Sequence, residues 1–355
     1  MGRSIFINGF SGISAQTEEA LFNNEPLVYT SNIFHAVPAN YKEIVPAMAL
    51  RRMSKAIKMG ITAAKNALLE ANVNLPDAII TATGEGCKHD TEKFLETVLE
   101  QKEELLAPTS FIQSTHNTVG GQIALNLNCT GYNLTYTQED ISLESAFIDA
   151  MLLLEEDLDV NAVLVGSVDE VSPKITSFSY LNNFLKKEEI QNLELFDQNS
   201  AGTITSEGAF FFVLSAEKKI NSDVEIVAIS TFKEKDAINV SREIHKFLVT
   251  NNCLVEDLDI VLLGKNGDRN QDVIYEILEK GLFLNSNVLV YKHLVGDFNT
   301  VTGFAIWLAC KIFKNNYIPN VLKLNTVSSQ NPKLALLYNL SQDNTTHSLI
   351  LVQKV

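Results

Sequence analysis

The chain has 355 residues, 46% of them hydrophobic and 20% charged, which is enough for a large core divided over about two lobes. Lys and Arg number 28 against 43 Asp and Glu, for a formal charge of −15, and so acidic a surface repels phosphate backbones and anionic lipid. Nucleic-acid and membrane binding are therefore excluded as general functions of its surface. Cys87, Cys129, Cys253 and Cys310 are scattered, without a CxxC pair or a His at metal spacing, so no zinc site, other metal or cofactor is expected and a reducing compartment fits.

In chain order, strands are predicted over residues 4–9, 78–82, 133–137, 162–166, 209–215, 225–230, 259–264, 287–291 and 348–353. Helices are predicted over 53–69, 91–105, 119–127, 142–154, 273–282 and 302–313, from apolar residues at three- and four-residue spacing. Runs such as AVLVG and DIVLLG are apolar on both faces, as a parallel sheet covered by helices requires, so the fold class is α/β. The order of elements before about Leu214 recurs in shorter form after it, which predicts two related halves, 1–215 and 216–355. The polar, turn-rich stretch 172–205 reads as long loops. The start MGRSIFINGF lacks a secretory apolar region, Phe6 breaks the myristoylation pattern, and no apolar run approaches the ~20 residues that cross a bilayer. A soluble, cytoplasmic protein is expected.

Several strings, in this order, resemble β-ketoacyl synthases of the thiolase superfamily. They are RRMSK at 51–55, TGEGCKHDTEKF at 83–94, PTSFIQSTHNTVGGQIAL at 108–125, GYNLTY at 131–136, VLVGSVDE at 163–170, SEGAFFFVLS at 206–215 and YKHLVGDFNTVTG at 291–303. None is specific alone, and the resemblance lies in their collinearity over nearly the whole chain. It implies a thiolase-like five-layered αβαβα fold. It also implies the family's chemistry, in which a Cys at a helix N-terminus takes an acyl group from a carrier protein. Two His residues then hold the malonyl thioester oxygen during decarboxylation, with a Lys near the second.

This sequence departs from that pattern where the chemistry happens. Counting from Gly131 places Asp140 at the Cys, the end of DIVLLG places Gly264 at the first His, and in YKHLVGDFNTVTG Gly296 matches the Gly before the second His and puts Asp297 there, while the Lys survives as Lys292 and Asp272 matches a later family Asp. The Gly-rich turn expected before the last strand is replaced by residues 341–346, SQDNTT. An Asp, with an ordinary pKa of about 3.9, would form an anhydride too reactive toward water to carry an acyl chain. Its charge also repels a malonyl carboxylate, by about 4 kcal/mol at ~4 Å and an effective dielectric near 20. As ordinary structure, Asp140 reads as the N-cap of the 142–154 helix. No independent catalytic residue is expected.

Other groups carry two readings each. Cys87 reads as a buried inert thiol rather than a nucleophile, and Ser142 has no His to activate it. His116 reads as a satisfied structural histidine or, with Asn117, as lining a pocket or facing a partner. Glu139 reads as a solvent or partner contact. His293 and Lys292, adjacent on a strand, point to opposite faces and do not pair. Arg51, Arg52, Lys55 and Lys58 form a basic run, with Arg51, Lys55 and Lys58 on one helix face, either solvated or docking an acidic carrier protein or partner.

The resemblance thus points to a degenerate member, similar to the chain-length factors of type II polyketide, aryl polyene or fatty-acid-like systems. Such a subunit pairs with an active ketosynthase and helps shape its acyl tunnel. By the same resemblance Asn133, Thr135 and Thr137 would lie at the dimer interface. The alternatives are a thiolase-fold enzyme with an altered acyl-thioester reaction and a homodimeric scaffold that holds an acyl chain.

Overall fold

A computed structural model describes residues 3–102, 104, 106, 108–219, 222–327 and 329–355. The predicted end of the second helix, Leu105, lies outside them. Ten strands form one continuous ladder: β1 Ile5–Ile13, β2 Ala78–Ala82, β3 Tyr132–Tyr136, β4 Val163–Asp169, β5 Gly208–Ser215, β6 Val224–Lys233, β7 Ile260–Leu263, β8 Val288–Val290, β9 Leu334–Leu340 and β10 Thr346–Lys354. Their spatial order is β3-β2-β4-β5-β1-β6-β10-β9-β7-β8. The first five strands and the last five follow the same plan. In each set two strands run parallel to a third between them, β3 and β4 beside β2, β8 and β9 beside β7, and the last two joins are antiparallel. The sets meet only where Ile5–Ile7 of β1 pair with β6.

The layering follows from which faces are apolar. β2, β4 and β5 are buried at every residue, so both of their faces must be covered. One core lies beneath the Lys55–Glu70 and Thr118–Leu127 helices and another beneath Ala237–Thr250 and Arg269–Lys280. The third and largest surrounds Ser142–Glu156 and Thr302–Asn315. These two helices touch strands of both sets, Ser142–Glu156 reaching β2, β4 and β6, and Thr302–Asn315 reaching β1, β5 and β9. They form the central layer of a five-layered αβαβα arrangement. Helix starts are fixed by side chains at three of the outer helices: Ser54 accepts from the Ile57 amide, Asp236 from those of Ile238 and Asn239, and Asp268 from that of Asn270.

Several expectations need correction. β1 continues to Ile13 by means of a bulge between Ile7 and Gly9. β9, from the run LALLYNL, and the Ala237–Thr250 helix were not predicted. The stretch read as long loops contains the Pro173–Leu181 helix, started by a proline in its first turn.

Candidate functional site

A cavity of about 410 Å³ opens where loops of the two strand sets meet. Asp140 stands at its wall, in the short 3-10 turn Glu139–Ile141 that leads into Ser142–Glu156. It does not cap that helix. Its Oδ1 accepts from Asn299 Nδ2 at 3.0 Å and its Oδ2 from the Gln342 amide at 2.9 Å, so the carboxyl ties the first strand set to two loops of the second. The N-terminal turn is held instead by Ser142, whose Oγ accepts from the Gln138 amide and donates to the Glu139 carbonyl, each at 2.7 Å. Protein atoms packed around the Asp140 carboxyl push its pKa up to about 7, with nearby Asp297 acting in the same direction and Lys292 opposing. Glu144, one turn further along the helix, is fully buried and pushed up to about 6 by that burial.

Lys292 and Asp297 form the second part of the site. Lys292 belongs to a single helical turn, Lys292–Val295, rather than to a strand, and its Nζ lies 2.8 Å from Asp297 Oδ1 with both residues buried. Gly296 makes the turn between them possible: its φ is +71°, and a Cβ there would fall 2.5 Å from Ser206 Cβ. Asp297 Oδ2 accepts from Asn266 Nδ2 at 2.8 Å. Gly264, expected at the first His, offers no side chain, and a Cβ there would fall 2.2 Å from Asn339 Oδ1. Asn266, two residues on, supplies the polar group that faces Asp297. Asp272 accepts from the amides of Asn266 at 3.1 Å and Gly267 at 3.0 Å, which fixes this loop, and burial raises its pKa to about 6.

The cavity is acidic. Glu85, Glu139, Asp140 and Asp343 line it, and the one cation lining it among the described residues, Lys88, is paired with Glu85. Among the described residues no cysteine or histidine lines it, and no group of His, Cys, Asp and Glu is arranged to hold a metal ion. Phe178, Phe184, Ile175 and Phe298 supply the apolar walls. Such a pocket holds no thiolate to accept an acyl group and no imidazole to steady an oxyanion.

The remaining sequence candidates lie elsewhere. Cys87 is buried, and its burial together with Glu170 and Asp90 pushes the thiol far above its ordinary value. His116 and Asn117 are exposed, with His116 folded over Gly86, where a Cβ would come 3.1 Å from its ring. His293 is buried against Phe196, its rings 5.1 Å apart, with Nε2 3.1 Å from the Val321 carbonyl, and burial lowers its pKa to about 4. Asn133 donates to the Gly120 carbonyl at 3.2 Å, Thr135 shares a 2.7 Å hydroxyl contact with Thr81, and Thr137 and Glu139 are exposed. Arg51 and Arg52 are exposed in the turn before the Lys55–Glu70 helix, so Arg51 does not share a helix face with Lys55 and Lys58. Lys55 itself pairs with the buried carboxylate of Glu207, whereas Lys58 is half-buried. Sequence reasoning missed Asn266, Asn299 and Gln342. Asn266 and Asn299 each sit two residues past an expected catalytic position, and Gln342 lies in the stretch 341–346 that replaces the Gly-rich turn.

Residues 31–183 match the family model of the beta-ketoacyl synthase N-terminal domain. No curated protein matches by sequence. Among solved structures, "The ishigamide ketosynthase/chain length factor" superposes with a TM-score of 0.82 at 15% identity, over 100% of both chains. A beta-ketoacyl synthase from Burkholderia phymatum STM815 superposes at 0.81 and 15%, again over 100% of both. The ketosynthase ApeO in complex with its chain length factor ApeC, from Xenorhabdus doucetiae, gives 0.79 and 13%, over 99% of this chain and 98% of that one.

Proposed function

With residues 31–183 matching the model of the beta-ketoacyl synthase N-terminal domain, in a chain whose fold is like that of ketosynthases from end to end, we propose that this protein is a non-catalytic, chain-length-factor-like subunit. It pairs with an active ketosynthase in a polyketide, aryl polyene or fatty-acid-like system. The observation that carries the reading is the Asp140 to Asn299 bond. In this reading the carboxyl at the family's nucleophile position is engaged in holding two loops together, in a cavity lined by Glu85, Glu139, Asp140 and Asp343 and, among the described residues, by no histidine.

The pairing surface has support of its own. β3 is the terminal strand of the ladder, with Tyr132 44% and Leu134 38% exposed and Leu125 of the neighbouring helix 72% exposed. A free strand edge flanked by exposed apolar side chains is a template for association. Asn133, Thr135 and Thr137 lie on this strand or directly after it, and the partner's edge strand would complete the sheet. Arg51 and Arg52, exposed on an otherwise acidic protein, suit an acidic carrier protein.

Co-expression with an active ketosynthase tests the proposal. A stable heterodimer burying more than ~2,000 Å² is the expected product. A monomer that persists beside that partner overturns it.

A further inference from the structure

A second cavity, of about 270 Å³, lies between β1 and the Thr302–Asn315 helix and shares no lining residue with the Asp140 cavity. Its walls are aromatic: Phe10 from β1, Phe210 from β5 and Trp307 from the helix. Gly12 allows the rings to close on the strand, because a Cβ there would fall 2.6 Å from Phe210 Cε1 and 3.2 Å from Trp307 Cδ1. Among the described residues β6 pairs with β1 only as far as Ile7, and beyond that point no described strand neighbours that edge of β1. On this edge the Phe10 amide donates to Glu70 Oε2 at 2.7 Å. Amides two residues apart in a strand point the same way, so the Gly12 N–H also leaves the ladder on the open side.

The polar end of the cavity is Lys311. Its ammonium lies 5.1 Å from the centre of the Phe10 ring and 5.8 Å from that of Trp307, and 2.7 Å from Glu18 Oε2. The Lys311 side chain is 12% exposed, whereas Glu18 is 47% exposed. The cation is thus fixed against aromatic faces, and the carboxylate that meets it stands on a solvent-facing side chain of the kind whose ion pairs contribute little.

We propose that this cavity binds a small aromatic carboxylate. The ring lies against Trp307 and Phe10, one carboxylate oxygen takes the place of Glu18 on Lys311, and the other accepts from the Gly12 amide. A volume near the lower end of ligand pockets, ~300 to 1,000 Å³, suits one ring system rather than an extended chain. The site is independent of the subunit assignment, since it requires neither a partner nor the Asp140 cavity.

Trp307 is the single tryptophan, so its emission reports on this site alone. The probe is 3-phenylpropionate at neutral pH, with uncharged 3-phenylpropanamide for comparison. The expected result is a saturable change with the acid and binding at least about tenfold weaker for the amide, as a charge-assisted contact requires. Lys311→Met weakens acid binding by a similar factor, and Glu18→Gln strengthens it several-fold by removing the competing carboxylate. No saturable change, equal binding of acid and amide, or weaker binding by Glu18→Gln overturns the proposal. The amide comparison and Glu18→Gln decide the matter even where Lys311→Met does not fold.

Discussion

Lys292 Nζ lies 2.8 Å from Asp297 Oδ1, in the interior of the protein and next to the cavity that holds Asp140. The lysine found near the second histidine in the resemblance is thereby spent on a structural ion pair, completed by Asn266. Removing one member leaves the other charge buried without its counterpart, at a cost of about 3 to 5 kcal/mol. Lys292→Met is expected to lower stability by that amount in urea titration, and Lys292→Met with Asp297→Leu to recover much of it.

On the proposed reading, a thiol at position 140 does not by itself create condensing activity. Asp140→Cys is expected to take up no more malonyl thioester than the parent protein, because Gly264 and Asn266 offer no imidazole and Asp297 stays paired to Lys292. Mass detection of decarboxylated product checks this. The same change removes the bonds to Asn299 and Gln342, so a fall in melting temperature is expected alongside.

The buried acids set a pH dependence. Asp140 is raised to about 7, and Glu144 and Asp272 to about 6, in each case first by burial. Groups with raised folded-state values bind more protons in the native than in the unfolded state between their ordinary pKa values near 4 and the raised ones. Their contribution to stability is therefore complete below about pH 4 and is lost as pH rises toward 7. Glu144→Gln keeps the shape and hydrogen-bonding capacity without the charge. It is expected to stabilise the protein by on the order of 1 to 2 kcal/mol at pH 8 and by almost nothing at pH 4, read by denaturation at the two values.

The proposed pairing edge is open to a direct substitution. Leu134→Asp places a charge on an exposed position of β3, so the isolated protein should melt within about 2 °C of the parent. With an active ketosynthase present, size-exclusion chromatography should show the complex lost. An undisturbed complex would move the interface away from β3.

Much of this architecture is legible in the sequence because burial on both faces leaves a plain mark. β2 was located to the residue from AIITA, and Thr302 was read as the first residue of a helix that is almost wholly buried. β9 escaped because LALLYNL is a short apolar run whose periodicity does not separate strand from helix. Asp140 was assigned by alignment to the nucleophile's position and by propensity to a helix cap. The structure shows that it caps no helix, since its partners, Asn299 and Gln342, lie 159 and 202 residues away in sequence. Lys55 shows the same limit: a basic run reads as a docking face until Glu207, 152 residues on, is found to hold one of its members. Local pattern records the face a residue turns to the core, whereas polar pairing across the two strand sets exists only once the chain has folded.

On the proposed reading, the Asp140 cavity transfers no acyl group. Purified protein incubated with acyl- and malonyl-loaded carrier protein, followed by intact-protein mass spectrometry, tests it most directly. An unmodified chain and undiminished malonyl thioester are expected. An acyl adduct mapped to any residue lining the Asp140 cavity, accompanied by decarboxylation, would contradict it.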